Sequence, residues 1–383
     1  MVLRSRLPKR LGVLSLRNRA TDTSRIERKF TVIRSLLGIT ISMIIAFFLI
    51  LLVSDTPLET LREFTITPLT SVKRIGYIVE KATPLMFTGT ALCIIMASGQ
   101  MNLAVEGAFY LSGIATAFFA TMEMPFFIHP IVCMLASALV GAVVCSLPAW
   151  MNVKFGTNTI VVSLMLNYIC QYIGAYIMHY TPMRDPAAGF DGSYKYLETA
   201  KLPELFPVTN IHLGLIIALI VVFGGFWLMY RHTWGYGVRM TGDNPEFAKF
   251  SGINVKKAIL TAAILGGIMT GLGAAVEQLG MYRRHSFLVP PGYGWDGVMI
   301  ATLSVKNPLL TPIAALFLGY LNTGSNAVSQ TMDIPIEIVN IVQSIIIIFV
   351  AAEHFLDSFK HKEIVKASAK RVNESDAVKE EQT

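Results

Sequence analysis

Long apolar runs separated by polar connections dominate the chain. The first, residues 33–53, holds about 20 residues with one charge, enough to cross a hydrocarbon core about 30 Å thick. A segment buried in lipid must satisfy its own backbone hydrogen bonds, which leaves helices or closed barrels, and runs of this length favour helices. Further segments follow at about 82–97, 104–121, 128–150, 158–180, 211–230, 258–280, 298–305, 309–328 and 334–352. The pattern predicts an all-α integral membrane protein with about ten transmembrane helices.

Two stretches fit this pattern less well. Residues 54–80 carry too many charged side chains to span a membrane, so we expect them to lie along the outer interface or to hold an extra half-helix. The segment 298–305 is short for a full span.

Charge placement sets the expected topology. Charged residues make up 15% of the chain, below the roughly 25% of a typical soluble protein. The net charge of +7 sits at the chain ends and in short connections, which fits the positive-inside rule and argues against a nucleic-acid partner. We expect a basic cytoplasmic segment at 1–29, a transmembrane domain at 30–356 with a cytoplasmic loop at 231–257, and a charged cytoplasmic tail at 357–383.

No motif for catalysis or metal binding stands out. The chain lacks a GxxxxGK[ST] loop, so we do not expect an enzyme, and we expect neither a metal nor a cofactor on this chain. The four cysteines lie in apolar stretches without a CxxC pair, which favours buried small side chains.

The loop at 231–257 contains a capped helix signal. Asp243 or Asn244 can cap a short helix, Pro245 suits its first position, Glu246 favours its amino end, and Gly252 ends it. Phe247 and Phe250 are three residues apart and share a face. From the residues alone, this helix either docks into another protein or rests on the membrane.

Two glycine-rich breaks carry acids into apolar surroundings. The first, at 99–107, contains Asn102 and Glu106, and the second, at 292–297, contains Asp296. Such breaks in two inverted halves are typical of a transporter's central pathway, although both also fit ordinary turns at membrane surfaces. The sequence thus predicts two loosely repeated halves of inverted topology.

Polar stripes mark three of the predicted helices. They consist of Ser163, Asn167 and Gln171, then Asn322, Ser325, Asn326 and Ser329, then Glu337, Asn340 and Ser344. They either line a cavity or make helix–helix hydrogen bonds. Our candidates for the substrate pathway are Asn102, Glu106, Asn167, Gln171, Asp296, Asn322 and Asn340. The ridge of Gly267, Gly271 and Ala275 favours close helix packing.

Over residues 60–355 the chain resembles the ABC-importer permeases of the branched-chain amino acid and simple-sugar group, and within it the nucleoside branch. The resemblance rests on motifs at 102–107, 156–158, 164–168, 242–246, 252–255, 292–297, 338–343 and 351–353. Thr159 stands where the family usually has a glutamate, so no carboxylate is carried over there.

The resemblance implies a heteromeric importer of the bacterial inner or plasma membrane, with both termini cytoplasmic. Its expected partners are ABC ATPase subunits that bind ATP and Mg²⁺, a second permease subunit, an external substrate-binding lipoprotein of the basic-membrane-protein type, and membrane lipid. It implies that the helix at 242–252 couples to the ATPase through Gly242, Asn244, Pro245, Glu246, Phe247, Ala248 and Gly252. The implied solutes are nucleosides, with simple sugars as the alternative. An ATPase-independent secondary transporter is the other function that we keep open.

Overall fold

Eleven α-helices make up the part of the chain that the computed structural model describes, residues 56–206 and 208–332 with isolated positions 44, 48, 341 and 344. They are α1 (Pro57–Thr65), α2 (Val72–Ala97), α3 (Val105–Ala120), α4 (His129–Phe155), α5 (Thr159–Tyr180), α6 (Gly214–Arg231), α7 (Thr233–Asp243), α8 (Pro245–Phe250), α9 (Val255–Met281), α10 (Tyr293–Leu303) and α11 (Thr311–Thr331). Apart from those isolated positions, the expected first and tenth spans lie outside the described residues, and so do the basic segment 1–29 and the tail 357–383.

By length and composition, five of these helices can cross a membrane: α2, α4, α5, α6 and α9. A bent pair, α10 with residues 308–331, can act as a sixth span, with a 109° angle at the break. The helical membrane fold is thus confirmed, and the total of about ten spans stays a prediction. Because α10 has 11 residues, it is about 16 Å long and cannot cross the bilayer alone.

The predicted boundaries were wrong by five residues or more at three places. One is the segment expected at 298–305: this helix begins at Tyr293, so most of the second glycine-rich break at 292–297 lies within α10. The helix expected at 82–97 begins ten residues earlier, at Val72, where the Ser71 side chain caps it by accepting the N–H of Arg74. The expected polar segment 54–80 is therefore α1, the predicted half-helix, followed by the first turns of α2. The loop expected at 152–156 is helical as far as Phe155, and Gly156 ends α4 in the left-handed conformation at φ +70°.

Two helices, α2 and α9, form the buried centre of the unit that spans residues 58–339. The predicted small-residue ridge on α9 packs against α4: the Ser137 hydroxyl donates to the Gly271 carbonyl at 2.6 Å, and a Cβ at Gly267 would clash with the Gly141 carbonyl. The role of this ridge in helix packing is confirmed. All four cysteines are buried and free, as predicted.

Candidate functional site

The first glycine-rich break, between α2 and α3, is held in place by side-chain amides. Asn102 donates from Nδ2 to the Cys145 carbonyl at 2.7 Å, while its Oδ1 accepts the N–H of Ala104 at 3.0 Å. Gly99 adopts φ +79°, where a side chain would be strained. Asn102 is 1% exposed, so its amide serves the backbone of the break and is not open to solvent.

The polar stripe on α5 faces the same break. Asn167 accepts the N–H of Gly107 at Oδ1 and donates from Nδ2 to the Leu103 carbonyl, both at 2.9 Å. The Ser163 hydroxyl accepts the N–H of Leu103 at 3.1 Å. Thr159, one turn earlier, donates to the side chain of Gln100 at 2.5 Å. This part of the stripe makes the helix–helix hydrogen bonds that the sequence left as one of two alternatives, whereas Gln171 is half-buried.

Glu106 joins the two glycine-rich breaks, which lie far apart in sequence. Its carboxylate accepts the N–H of Gly292 at 2.7 Å and that of Gly294 at 2.6 Å, and the residue is 3% exposed. These donors stand at the amino end of α10, where the first N–H groups lack helical partners and the helix dipole favours a negative charge. A Cβ at Gly294 would clash with the backbone of Glu106, so glycine permits this approach.

Asp296 and Asn322, which the sequence singled out separately, meet in the structure. The Asp296 carboxyl of α10 is hydrogen-bonded to the Asn322 side chain of α11. Of the seven pathway candidates, Asn340 lies outside the described residues. The other six lie on or beside the two breaks and on α5 and α11, and their assignment to a substrate pathway stays a prediction.

A buried polar network surrounds Gln278 near the end of α9. The Tyr196 hydroxyl donates to the Gln278 side chain at 2.6 Å, and His285 lies 3.3 Å from the same oxygen. Burial lowers the pKa of His285, in the loop after α9, to about 4. Tyr196 lies in the polar connection 181–210, where nothing in the local pattern distinguishes a buried residue from an exposed one.

The predicted capped helix is α8. Asn244 caps it by accepting the N–H of Phe247 at 3.0 Å, and Pro245 takes the first position. At its end, the N–H of Ile253 reaches the Ala248 carbonyl at 2.9 Å and Gly252 adopts φ +82°, the Schellman arrangement.

The two aromatic side chains of α8 point away from the protein. Phe247 is 54% exposed and Phe250 is 88% exposed, while Ala248 between them is fully buried. Glu246 is exposed at the amino end. The described part of the chain therefore presents a short, rigidly capped helix with an aromatic pair on its outer face.

Gly242, at the junction of α7 and α8, touches the end of α2. A Cβ at Gly242 would clash with the Ala97 carbonyl, and one at Gly99 would lie 3.1 Å from the Gly242 Cα. The segment that carries α8 thus rests directly on the first glycine-rich break. The family resemblance implies that Gly242 takes part in coupling to the ATPase, and in the structure Gly242 contacts this chain's own backbone.

Comparison with known proteins identifies the family of this chain. Residues 74–351 match the family described as branched-chain amino acid transport system, permease component. The chain belongs to this family. As an ABC transporter permease, it is a multi-pass membrane subunit that works with ATPase and permease partners, and ATP hydrolysis takes place on a separate subunit.

Several characterised permeases are similar to this one along most of their length. A glucose ABC transporter permease of Haloferax volcanii is 26% identical over 84% of this chain and 86% of the relative. A guanosine ABC transporter permease of Bacillus subtilis is 27% identical over 73% and 81%, and a nucleoside ABC transporter permease of Lactococcus lactis is 23% identical over 90% and 95%. A solved inward-facing metal-chelate type ABC transporter matches at 15% identity over 84% of this chain and 97% of that one, but its TM-score of 0.41 is too low to support an argument.

Proposed function

We propose that this permease moves nucleosides into the cell, driven by ATP hydrolysis on a partner and coupled to it through α8. The observation that carries the proposal is the exposed aromatic pair of α8, mounted on a segment that rests on the end of α2. A capped helix with protruding aromatic side chains is suited to a groove on another protein, because buried aromatic anchors contribute most to binding. A helix that only rested on lipid would not need the close contact with the end of α2 that this segment makes.

Movement at α8 has a short route to the central breaks. Gly242 contacts the residues that follow α2, the break is pinned to α5 by Asn167, and Glu106 then connects it to the amino end of α10. Every contact along this route is close-packed backbone or a buried or partly buried hydrogen bond. A displacement of α8 would therefore move α10 as well, because no loosely packed contact lies between them. A two-state transport cycle requires such a linked movement.

The solute assignment rests on chemistry and on similarity. Guanosine and nucleoside permeases are among the relatives, and nucleosides are uncharged solutes that hydrogen-bond through amide-like and hydroxyl groups. A simple sugar is the second candidate, since a glucose permease matches this chain over a comparable length.

The proposed assembly places 231–257 and both chain ends in the cytoplasm of a bacterial cell, with the protein in the inner or plasma membrane. The Lys and Arg excess of 231–257 supports this orientation. A second permease subunit completes the passage, partner ATPases hold ATP and Mg²⁺, and an external lipoprotein delivers the solute. This chain itself holds no cofactor in this proposal.

The test is a double substitution, Glu246→Ala with Phe247→Ala, in the complete transporter. We expect guanosine uptake and solute-stimulated ATP hydrolysis to be lost while the amount of permease in the membrane is unchanged. Phe155→Ala, which removes a similarly exposed aromatic ring from the end of α4, is the control and should transport normally. Competition of guanosine uptake by ribose distinguishes the two solute classes.

Normal uptake in the double variant would refute the coupling role of α8. Uptake by the purified chain along an ion gradient, without an ATPase, would instead support a secondary transporter. In that case the proposed importer would be wrong as a whole.

A further inference from the structure

A row of tyrosines runs along the outward face of α5. Tyr168, Tyr172, Tyr176 and Tyr180 recur every four residues, so they form one stripe on the helix. They are between 62% and 72% exposed. Within the described residues, none of their hydroxyls makes a hydrogen bond. We call these four residues the tyrosine stripe.

The outward faces of the spans before and after α5 in the chain look different. On α4 the exposed positions Ile131, Leu135, Leu139 and Val143 are aliphatic, and Trp150 comes only near the helix end. On α6 the exposed positions are Ile216, Ile220, Phe223 and Trp227, and the tryptophan again lies near the helix end. Aliphatic side chains at depth and aromatic rings with polar tips at the ends are typical of a surface that faces lipid. The tyrosine stripe does not follow this pattern.

The depth of these tyrosines in the membrane determines what must surround their hydroxyls. With 22 residues, α5 is about 33 Å long, which matches the thickness of the hydrocarbon core. Tyr168 and Tyr172 lie on either side of its midpoint and would hold their hydroxyls in the middle of the bilayer. A phenol hydroxyl without a hydrogen-bond partner in hydrocarbon is costly. These two hydroxyls therefore require polar partners, although exposed aliphatic side chains, Met165, Ile169 and Ile173, lie beside them on the helix.

The stripe also lacks charge. No Asp, Glu, Lys or Arg occurs in α5, so the face offers aromatic planes and hydroxyl groups without attracting an ion. Aromatic side chains stack on nucleobases whatever the base, because every base has a π-face. Hydroxyls beside the rings can bond to the sugar. This combination fits a neutral solute with one flat aromatic part and one hydroxylated part.

We propose that the tyrosine stripe lines the solute passage between this permease and the second permease subunit, and that Tyr168 and Tyr172 stack on the base of a passing nucleoside. The inference rests on the proposed nucleoside transport and adds the residues that recognise the solute. Four similar sites in series, each weak, suit a passage that the solute must leave again. Phe in place of Tyr keeps the stacking plane, whereas Ala removes it.

The first test asks whether water reaches the stripe. In the complete transporter in membranes, Tyr168→Cys and Tyr172→Cys are treated with a water-soluble, membrane-impermeant thiol reagent, and Leu139→Cys on α4 is the matched control. The four native cysteines are buried, so the unmodified chain should give a low background. We expect both stripe positions to react, guanosine to slow the reaction, and the Leu139 position to stay unreactive. Stripe positions as unreactive as Leu139 would overturn the proposal, since lipid or a dry subunit contact would then cover them.

The second test asks whether the rings bind the base. We expect Tyr172→Ala to raise the KM for guanosine uptake roughly tenfold, the size of one lost base–ring stack, and Tyr172→Phe, which keeps the ring and loses only the hydroxyl, to raise it less. An unchanged KM in the Ala variant would refute stacking. This failure is distinct from failure of the proposed function, because guanosine uptake itself would continue and would still depend on α8. Protection of the cysteine variants by glucose and not by guanosine would assign the passage to sugars and would refute the nucleoside stack.

Discussion

The Glu106 carboxylate binds the backbone N–H of Gly294 at 2.6 Å, although the two residues are 188 positions apart. A second N–H, that of Gly292, occupies the other carboxylate oxygen. One side chain thus ties the helix that follows the first break to the helix that follows the second. The contact depends on a carboxylate with two accepting oxygens and on a glycine that allows close approach.

Replacing either partner should weaken this connection. Glu106→Gln turns one acceptor into an NH₂ group that faces a backbone N–H, which should cost about 1–3 kcal/mol of unfolding free energy. Gly294→Ala places a Cβ against the Glu106 backbone and should also lower the free energy of unfolding by about 1–3 kcal/mol. Thermal unfolding of the purified complex in detergent measures both.

Gly224→Ala is the matched control for this pair. It lies within α6, and a Cβ there would meet no neighbouring atom within 4 Å. It should be neutral or slightly stabilising, because alanine is the better helix former. If Gly294→Ala unfolded at the same temperature as Gly224→Ala, the close approach of the two breaks would be wrong.

The sequence predicts helices and contacts between residues that lie close together in the chain, and it predicts contacts between distant residues poorly. Helix α5 was predicted to within one residue, because an apolar run begins directly after Asn158, whose side chain caps the helix. The start of α2 was missed, because Lys73, Arg74 and Glu80 make its first turns resemble an interfacial loop. In the structure Glu80 is nevertheless buried.

The candidate site shows the same division. The capped helix α8 is local, and Asn244, Pro245 and Gly252 specify it with residues that lie close together in the sequence. The bond from Glu106 to Gly294 is long-range, and a single sequence contains no signal for which distant N–H groups a buried acid will meet. In the sequence, the apolar surroundings of Glu106 marked it as unusual. Its hydrogen-bond partners could be identified only from the tertiary structure.

The contact of Gly242 with the end of α2 predicts a coupling defect. Gly242→Ala should force α7 away from the Ala97 carbonyl and lower guanosine uptake per transporter roughly tenfold, the scale of a typical coupling free energy. ATPase subunits should remain bound, since α8 itself is unchanged. Uptake and ATP hydrolysis measured on the same reconstituted complex separate the two effects.

Gly237→Ala provides the control on the same helix. A Cβ at this position would lie 3.5 Å from the Ile253 side chain, an ordinary van der Waals distance. Its uptake should match that of the unmodified protein. Equal uptake by the Gly242 and Gly237 variants would remove the contact with α2 from the proposed coupling route.

A buried histidine predicts how stability depends on pH. Burial lowers the pKa of His212, in the connection before α6, to about 4, and its Nδ1 accepts the N–H of Gly214 at 3.1 Å. The unfolded chain, with a pKa near 6.5, takes up the proton first, so stability is complete above about pH 6.5 and falls as the pH approaches 4. The loss attributable to this group should reach roughly 3 kcal/mol at pH 4.

His212→Asn keeps an acceptor for Gly214 but cannot be protonated. Its unfolding temperature should change less between pH 7 and pH 4 than that of the unmodified protein. Parallel curves for the two proteins would show that His212 does not control the acid sensitivity.

The turn after α10 holds two residues, Val305 and Lys306, in the left-handed conformation. Val305 adopts φ +52° while the N–H of Lys306 closes the helix end on the Ala301 carbonyl at 2.9 Å. The left-handed region costs a residue with a Cβ about 1–2 kcal/mol, and glycine avoids this cost. Val305→Gly should therefore raise the free energy of unfolding by about 1 kcal/mol, partly offset by the greater freedom of glycine in the unfolded chain.

Val289→Gly is the comparison that isolates the conformational effect. Val289 and Val305 are both 58% exposed, but Val289 has an ordinary negative φ. Removing its side chain relieves no strain and adds freedom to the unfolded state, so this variant should be less stable than the unmodified protein. Opposite shifts of the unfolding temperature in the two valine variants are the expected result, and a lower temperature in both would mean that the turn at Val305 is not strained.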